Sequence, residues 1–289
     1  MDRLDSMEIA KLLGRAYKCR SNILKMMRNS EGHIGGAFSS LDILTVLYNK
    51  ILRHDPENPK WVDRDRFILS AGHKCLALYT VLQDQGYFGE DILWTYGKFK
   101  TRVAMHPEEK LLPGIEFPTG SLGHGLPVGH AMALAARLDR KDYRVFVVLG
   151  DGECQEGSVW EAAMSAGHHK TDNLVAIVDR NGLQVNGATD DVMNISPVED
   201  KFSAFGWEVR TIDGHDYNQI YDALISAPFK KGKPSCIVAL TTKCKGLTFA
   251  EGKFEYHHWH CEPEKIDQSI ETVNDSLKKE LDNIGAGKH

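Results

Sequence analysis

Short apolar runs that alternate with helical stretches constrain this chain more than any other feature of its sequence. The runs fall at Arg66 to Ser70, Arg144 to Leu149, Leu174 to Asp179, Trp207 to Ile212 and Ser235 to Leu240. Helical patterns at Gly125 to Leu138, Ser158 to His168 and Asp216 to Ala227 stand between most of them. A strand returns parallel to its predecessor only by crossing a sheet face, usually through a helix. The alternation therefore predicts an α/β fold with a doubly wound, mostly parallel sheet and helices on both faces. Such a sheet places its ligand outside the carboxyl ends of the strands. Gly150-Asp151 and Asp179-Arg180-Asn181, each closing a run, are expected at that edge.

The remainder reads as part of one domain, residues 1–289, with no repeat or Pro-rich linker to mark a second. A Leu-, Met- and Ala-rich helix is predicted from Leu4 to Arg28, and another from Leu41 to Ile51 behind a Ser39-Ser40 cap. The Gly-rich segment Glu31-Gly32-His33-Ile34-Gly35-Gly36 reads as a break between them. Lys98 to Pro118 has no clear periodicity and is expected to form an active-site loop. A charged helical extension is expected over residues 263–284.

With 289 residues, 42% hydrophobic and 26% charged, the chain can bury a sizeable core. A net charge of −5 without a dense Lys/Arg run gives no footprint for nucleic acid or an anionic membrane. The N-terminal sequence MDRLDSMEIAKLLGRAY lacks the apolar centre and cleavage site of a secretion signal, so a cytoplasmic protein with small-molecule or protein partners is expected. Six scattered cysteines without a C-x-x-C pair suggest reduced, structural thiols.

The chemistry lies in two segments: Gly150-Asp151-Gly152-Glu153 after RVFVVL, and Asp179-Arg180-Asn181-Gly182 after NLVAIV. A lone G-D-G is weak, because Asp and Gly are common turn residues. A second oxygen-bearing segment after another strand, with Asn181 thirty positions beyond Asp151, strengthens it. Mg²⁺ takes oxygen ligands in near-octahedral geometry, sharing them between a few protein groups and phosphate. An Asp carboxylate, an Asn amide oxygen and a nearby backbone carbonyl meet that demand. Gly152 lets the backbone approach a phosphate as the next helix begins.

This G-D-G-x(n)-N arrangement resembles the signature of thiamine diphosphate enzymes. The adjoining Gln155-Glu156-Gly157 and Trp160-Glu161-Ala162 are similar to the transketolase version, and the resemblance runs over about the whole chain. Ser30 to Gly36 resembles the family's S-x-G-H-x-G loop, Leu69-Ser70-Ala71-Gly72-His73 its second histidine loop, and His106-Pro107-Glu108 its H-P-E element. Thr119-Gly120-Ser121-Leu122-Gly123-His124-Gly125 resembles T-G-x-L-G-x-G, with His124 where many members carry Gln.

The resemblance implies that Asp151, Asn181 and the Leu183 carbonyl hold Mg²⁺, or Ca²⁺ or Mn²⁺ in its place. It implies a thiamine diphosphate site formed by His73, Gly120, Ser121, Leu122, Gly152, Glu153 and His257 with those metal ligands. Glu156 is read either as a surface carboxylate or as a contact near the cofactor at a subunit interface. His33, His73, His106 and His257 are the implied catalytic histidines, imidazole being suited to acid and base work near neutrality. The last depends on register, since His258 and His260 stand beside His257. That cluster can also be read as a transition-metal site, although it lacks paired Cys or acidic ligands. Asp213-Gly214-His215-Asp216 resembles a family loop read as structural, capping the helix that follows.

Full-length members continue beyond the equivalent of this chain into a pyrimidine-binding domain that supplies a Glu and an aromatic bed for the cofactor's ring. The resemblance thus implies the N-terminal subunit of a split transketolase. Its partner would be a C-terminal subunit carrying that domain, its substrates sugars or sugar phosphates, and its assembly α2β2. A dehydrogenase E1 α subunit is one alternative, opposed by the H-P-E element, the His33 loop and Q-E-G. A 1-deoxyxylulose-5-phosphate synthase would require a longer chain. A non-catalytic binding module has no reason to keep Asp151, Asn181, His33, His73 and His106 together.

Overall fold

The chain is described by a computed structural model over residues 3–260 and 262–285. Five parallel strands form the central sheet: β1 (Arg66–Leu69), β2 (Val145–Gly150), β3 (Leu174–Arg180), β4 (Glu208–Asp213) and β5 (Ser235–Leu240). Their order is β1-β2-β3-β5-β4. The central strands read as unbroken apolar runs because both faces are covered. Residues alternate between two cores. Phe146, Val148, Val175, Ile177 and Ile237 face one of them, and Val147, Leu149, Ala176, Val178 and Val238 the other.

The first core is closed by α1 (Ser6–Met26), α2 (Ile34–Val46), α3 (Cys75–Asp84), α7 (Tyr217–Ile225) and α8 (Pro263–Gly285). On the opposite face lie α4 (Gly125–Leu138), α5 (Gly157–His168) and α6 (Val198–Ala204). The doubly wound architecture is therefore the one expected. A capping box starts α1, where Asp5 accepts from the Glu8 amide and Glu8 returns to the Asp5 amide. Among the described residues no helix is long and apolar enough to cross a membrane. Cys19, Cys75, Cys154, Cys236 and Cys244 are buried free thiols, and Cys261 lies outside the described residues.

Two expectations need correction. The second helix begins at Ile34 rather than Leu41, so the Gly-rich segment is not all break, and Ser39 and Ser40 lie inside the helix with hydroxyls near the Gly36 carbonyl. The missed helix α3 is buried along Cys75 to Leu82, so it carries no amphipathic stripe to find. The short helix α6 was not expected either; for the other expected strands and helices the boundaries agree within a few residues, and α4 and β5 agree at both ends.

One buried ion pair knits the first core. Arg20 forks onto both Asp42 oxygens at 3.0 and 2.8 Å, and the two side chains are 0% and 2% exposed. Arg20→Ala takes the counter-charge from a buried carboxylate that keeps only the His215 and Tyr217 donors, and the expected loss is about 3–5 kcal/mol of unfolding free energy. Urea denaturation followed by circular dichroism measures it, and a loss below about 1 kcal/mol would show that water or a neighbouring group compensates Asp42.

Candidate active site at the carboxyl edge of the sheet

Strand register aligns the loops that matter. Leu69 pairs with Val148, Gly150 with Asp179, and Asp179 with Ala239, so the segments after β1, β2, β3 and β5 leave one edge side by side. The start of α2 meets them there. Together they line a cavity of about 350 Å³ containing His33, His73, Gly120, Leu122, Asp151, Gly152, Glu153, Glu156, Asn181, Leu183 and His257.

Asp151 is 4% exposed. Its Oδ2 accepts from the Gly182 amide at 2.8 Å and the Thr189 hydroxyl at 3.1 Å, and its Oδ1 from the Gly152 amide at 2.9 Å. Burial raises its carboxyl above the usual range, with the Lys74 charge opposing the rise. Asn181 donates to Ser39 Oγ at 3.3 Å, and its Oδ1 accepts from the Leu183 amide at 3.1 Å. The Leu183 carbonyl already receives a cation, the Lys243 ammonium at 3.2 Å. The donor set is all oxygen and suits a hard divalent ion. A Cβ on Gly152 would come within 3.3 Å of Gln184, so the glycine keeps the backbone accessible beside that set.

Glu153 lines the cavity with its carboxylate committed within the protein. It accepts from the Gly123 amide at 2.9 Å, the Gly150 amide at 3.0 Å and the Ser70 hydroxyl, and so ties the Thr119–Gly123 loop to the G-D-G turn. Glu156 lies exposed at the cavity rim. Ser121 lies outside the cavity lining and borders a larger, open groove of about 670 Å³ that runs past His106 and joins the cavity at Gly120. The titratable groups cluster in the smaller space, and the groove follows the irregular segment before α4.

The histidines do gather. The His33 ring centre lies 5.3 Å from His73, 5.4 Å from His257, 4.7 Å from His258 and 6.4 Å from His106. His257 faces the cavity, His258 lies exposed against His33 and outside the cavity lining, and His260 is exposed in a bridge opposite Glu31. Among the described residues no group of three or more His, Cys, Asp or Glu is arranged to hold a metal ion, so the transition-metal reading of this cluster has no support.

Two lysines escaped the sequence reading. Lys74 is 2% exposed and reaches Asp179 at 2.6 Å, while Lys243 is 1% exposed and reaches His257 Nδ1 at 3.1 Å. Burial lowers Lys243 to about 8, with the Lys74 charge adding to the effect. Gly35 and Gly36 explain why the segment is glycine-rich. A Cβ on Gly35 would meet Lys243 Cε and the Tyr256 carbonyl at 2.8 Å, and one on Gly36 would lie 3.0 Å from Lys74 Cε. The available signal was position, since each lysine closely follows the end of a parallel strand.

The family model of the transketolase thiamine diphosphate binding domain matches residues 22–277. The chain belongs to the transketolase family. It is 40% identical to one of the subunits of the apulose-4-phosphate transketolase of Phocaeicola vulgatus, with 96% of this chain and all of that protein aligned. It is 42% identical to the 6-deoxy-6-sulfo-D-fructose transketolase subunit SqwG of a Clostridium species, over 78% of this chain and 82% of that one. Among solved structures, the Leishmania mexicana transketolase superposes with a TM-score of 0.81 at 29% identity, covering 97% of this chain and 45% of that one. The chain thus spans about half the length of the solved transketolases it matches and corresponds to their thiamine diphosphate binding half.

Burial lowers His33 to about 4, His257 to about 3 and His73 to about 2, with neighbouring histidines and lysines adding repulsion. All three are neutral near pH 7. In the unfolded chain each returns to about 6.5, so below that pH the unfolded state binds more protons and stability falls as the pH drops towards 4. Denaturation of the cofactor-free protein at pH 7 and pH 5 should show the loss, and His73→Gln should reduce it. Equal stability at both pH values would contradict neutral, buried imidazoles.

Proposed function

We propose that this chain is the cofactor-holding subunit of a two-chain transketolase that moves a two-carbon ketol unit from a ketose to an aldose. The observation that carries the proposal is the convergence of Asp151, Asn181 and the Leu183 carbonyl on one cavity with the neutral histidines. In this reading those three groups bind Mg²⁺, or Ca²⁺ or Mn²⁺, and the ion binds diphosphate. Bound thiamine diphosphate supplies the nucleophilic carbon on which the two-carbon unit is carried.

The chain's own residues orient and protonate. The Gly152 amide, His73 and Lys243 face the diphosphate, where Lys243 adds a charge-assisted donor. His257 Nδ1 accepts from Lys243, so its proton sits on Nε2 and is available to a substrate oxygen. His33 and the exposed His106 line the way in and pass protons to and from sugar hydroxyls. Gly120 and Leu122 form the wall on which the thiazolium side rests, Ser121 continues it into the groove, and Glu156 at the rim contacts the partner.

The partner in this proposal is a C-terminal transketolase subunit with the pyrimidine-binding domain, seated over the open groove beside His106. Two chains and two partners complete two sites across a two-fold axis, α2β2, in the cytoplasm. Sugars or sugar phosphates are the substrates. The aligned Phocaeicola and Clostridium relatives, both named as transketolase subunits, support a role as one part of a larger enzyme.

With the assembled enzyme, calorimetry should show thiamine diphosphate binding that needs a divalent cation and is lost in Asp151→Ala. Equal affinity in EDTA would refute the metal assignment. His33→Ala and His106→Ala should lower turnover and leave cofactor affinity within about threefold, whereas His73→Ala should weaken binding by about 1.5–3 kcal/mol. The reverse pattern, cofactor released by His106→Ala and held by His73→Ala, would overturn the division of roles.

A further inference from the structure

The Asp213-Gly214-His215-Asp216 segment joins β4 to α7 and lies outside the cavity lining. Its histidine is nevertheless held through both ring nitrogens. Nδ1 lies 2.7 Å from Asp42 Oδ2, and Nε2 lies 2.8 Å from the Thr242 backbone nitrogen. A backbone N–H can only donate, so Nε2 is the bare acceptor and Nδ1 carries the proton given to Asp42. Asp42 is fixed in turn by the Arg20 fork and by the Tyr217 hydroxyl at 2.8 Å. The imidazole therefore has one tautomer and one orientation.

What it holds is the turn after β5. The Thr241 amide donates to the Arg180 carbonyl at 3.1 Å, the Thr241 hydroxyl donates to Asp179, and the Gly214 amide donates to the Leu240 carbonyl at 2.8 Å. Gly214 makes the approach possible, because a Cβ there would lie 2.4 Å from Thr241 Cγ2. His215 then accepts from the next amide, Thr242, and one residue further on Lys243 enters the cavity to meet the Leu183 carbonyl and His257.

We infer that His215 is a positioning residue for the cofactor site: through the Thr242 amide it sets the turn that aims Lys243 at the diphosphate position. The inference deepens the functional reading above and rests on Lys243 being a diphosphate donor. It assigns the Asp-Gly-His segment a role beyond the helix cap that Asp216 supplies to α7.

The test is calorimetric titration of thiamine diphosphate, at fixed Mg²⁺, into the two-subunit protein carrying wild type, K243M, H215N, H215Q or H215N with K243M. Gln can bring its amide oxygen to where Nε2 stands, and Asn is too short. H215N should bind about tenfold more weakly, H215Q should stay within about threefold of wild type, and H215N should add nothing in the K243M background. Wild-type affinity in H215N, equal losses in H215N and H215Q, or an undiminished H215N effect beside K243M would overturn the inference. Absence of binding by wild type would instead overturn the functional reading. Normal binding by wild type and K243M alike would overturn the Lys243 step, and the inference with it, while leaving the site itself intact. Should H215N not fold, nitrogen-15 spectra of labelled histidine in the wild-type protein, assigned against H215Q, decide the geometry. A proton on His215 Nδ1 supports the inference, and a proton on Nε2 alone overturns it.

Discussion

The site depends on a single buried carboxylate. Asp179 closes β3 at 0% exposure and holds Lys74 from the segment after β1, Ser39 from α2 and Thr241 from the turn after β5. Burial alone would raise its carboxyl, but the Lys74 ammonium and the hydroxyl donors hold it below the usual range. Without an ionised Asp179, Lys74 would be a buried charge without its counterion, which costs several kcal/mol. Four chain segments meet at this one group. Asn181, two residues further on, inherits its position through Ser39.

A second tie works alongside it. Glu153 bonds two backbone amides from separate loops, and its burial resembles that of Asp151 next to it in the G-D-G turn. The two acids do different jobs because their partners differ. Burial raises both carboxyls, and each accepts three protein donors, but Glu153 is tied to the Ser70 and Gly123 side of the cavity and Asp151 to the Gly182 and Thr189 side, next to Asn181. Asp151 stands beside Asn181 and the Leu183 carbonyl, so a divalent cation there would meet oxygen donors only. The neutral histidines around that point add donors and acceptors without adding charge.

Much of this was legible in the sequence because it rests on local patterns. Strands covered on both faces appear as unbroken apolar runs, and Asp151 and Asn181 could be placed because each follows such a run. What was hidden depends on tertiary contact. Gly35 and Gly36 argue against a helix by propensity, and only the lysine stems packed against them show why they stand in its first turn. Lys74 and Lys243 were not singled out in the sequence, and only the fold shows them buried. Motif spacing pointed to His257 with His258 and His260 one and three residues out of register, and of the three the geometry puts His257 alone on the cavity lining, with His258 exposed against His33.

The central claim is that this edge of the sheet assembles one divalent-ion and diphosphate site, and the most direct test is to locate the ion. Crystals of the assembled protein grown with thiamine diphosphate and Mn²⁺ would give an anomalous difference map. The account predicts one peak about 2.1–2.2 Å from oxygen atoms of Asp151, Asn181 and Leu183, with phosphate completing the shell. A peak at the histidine cluster instead, or bound cofactor with no metal at Asp151, would contradict it.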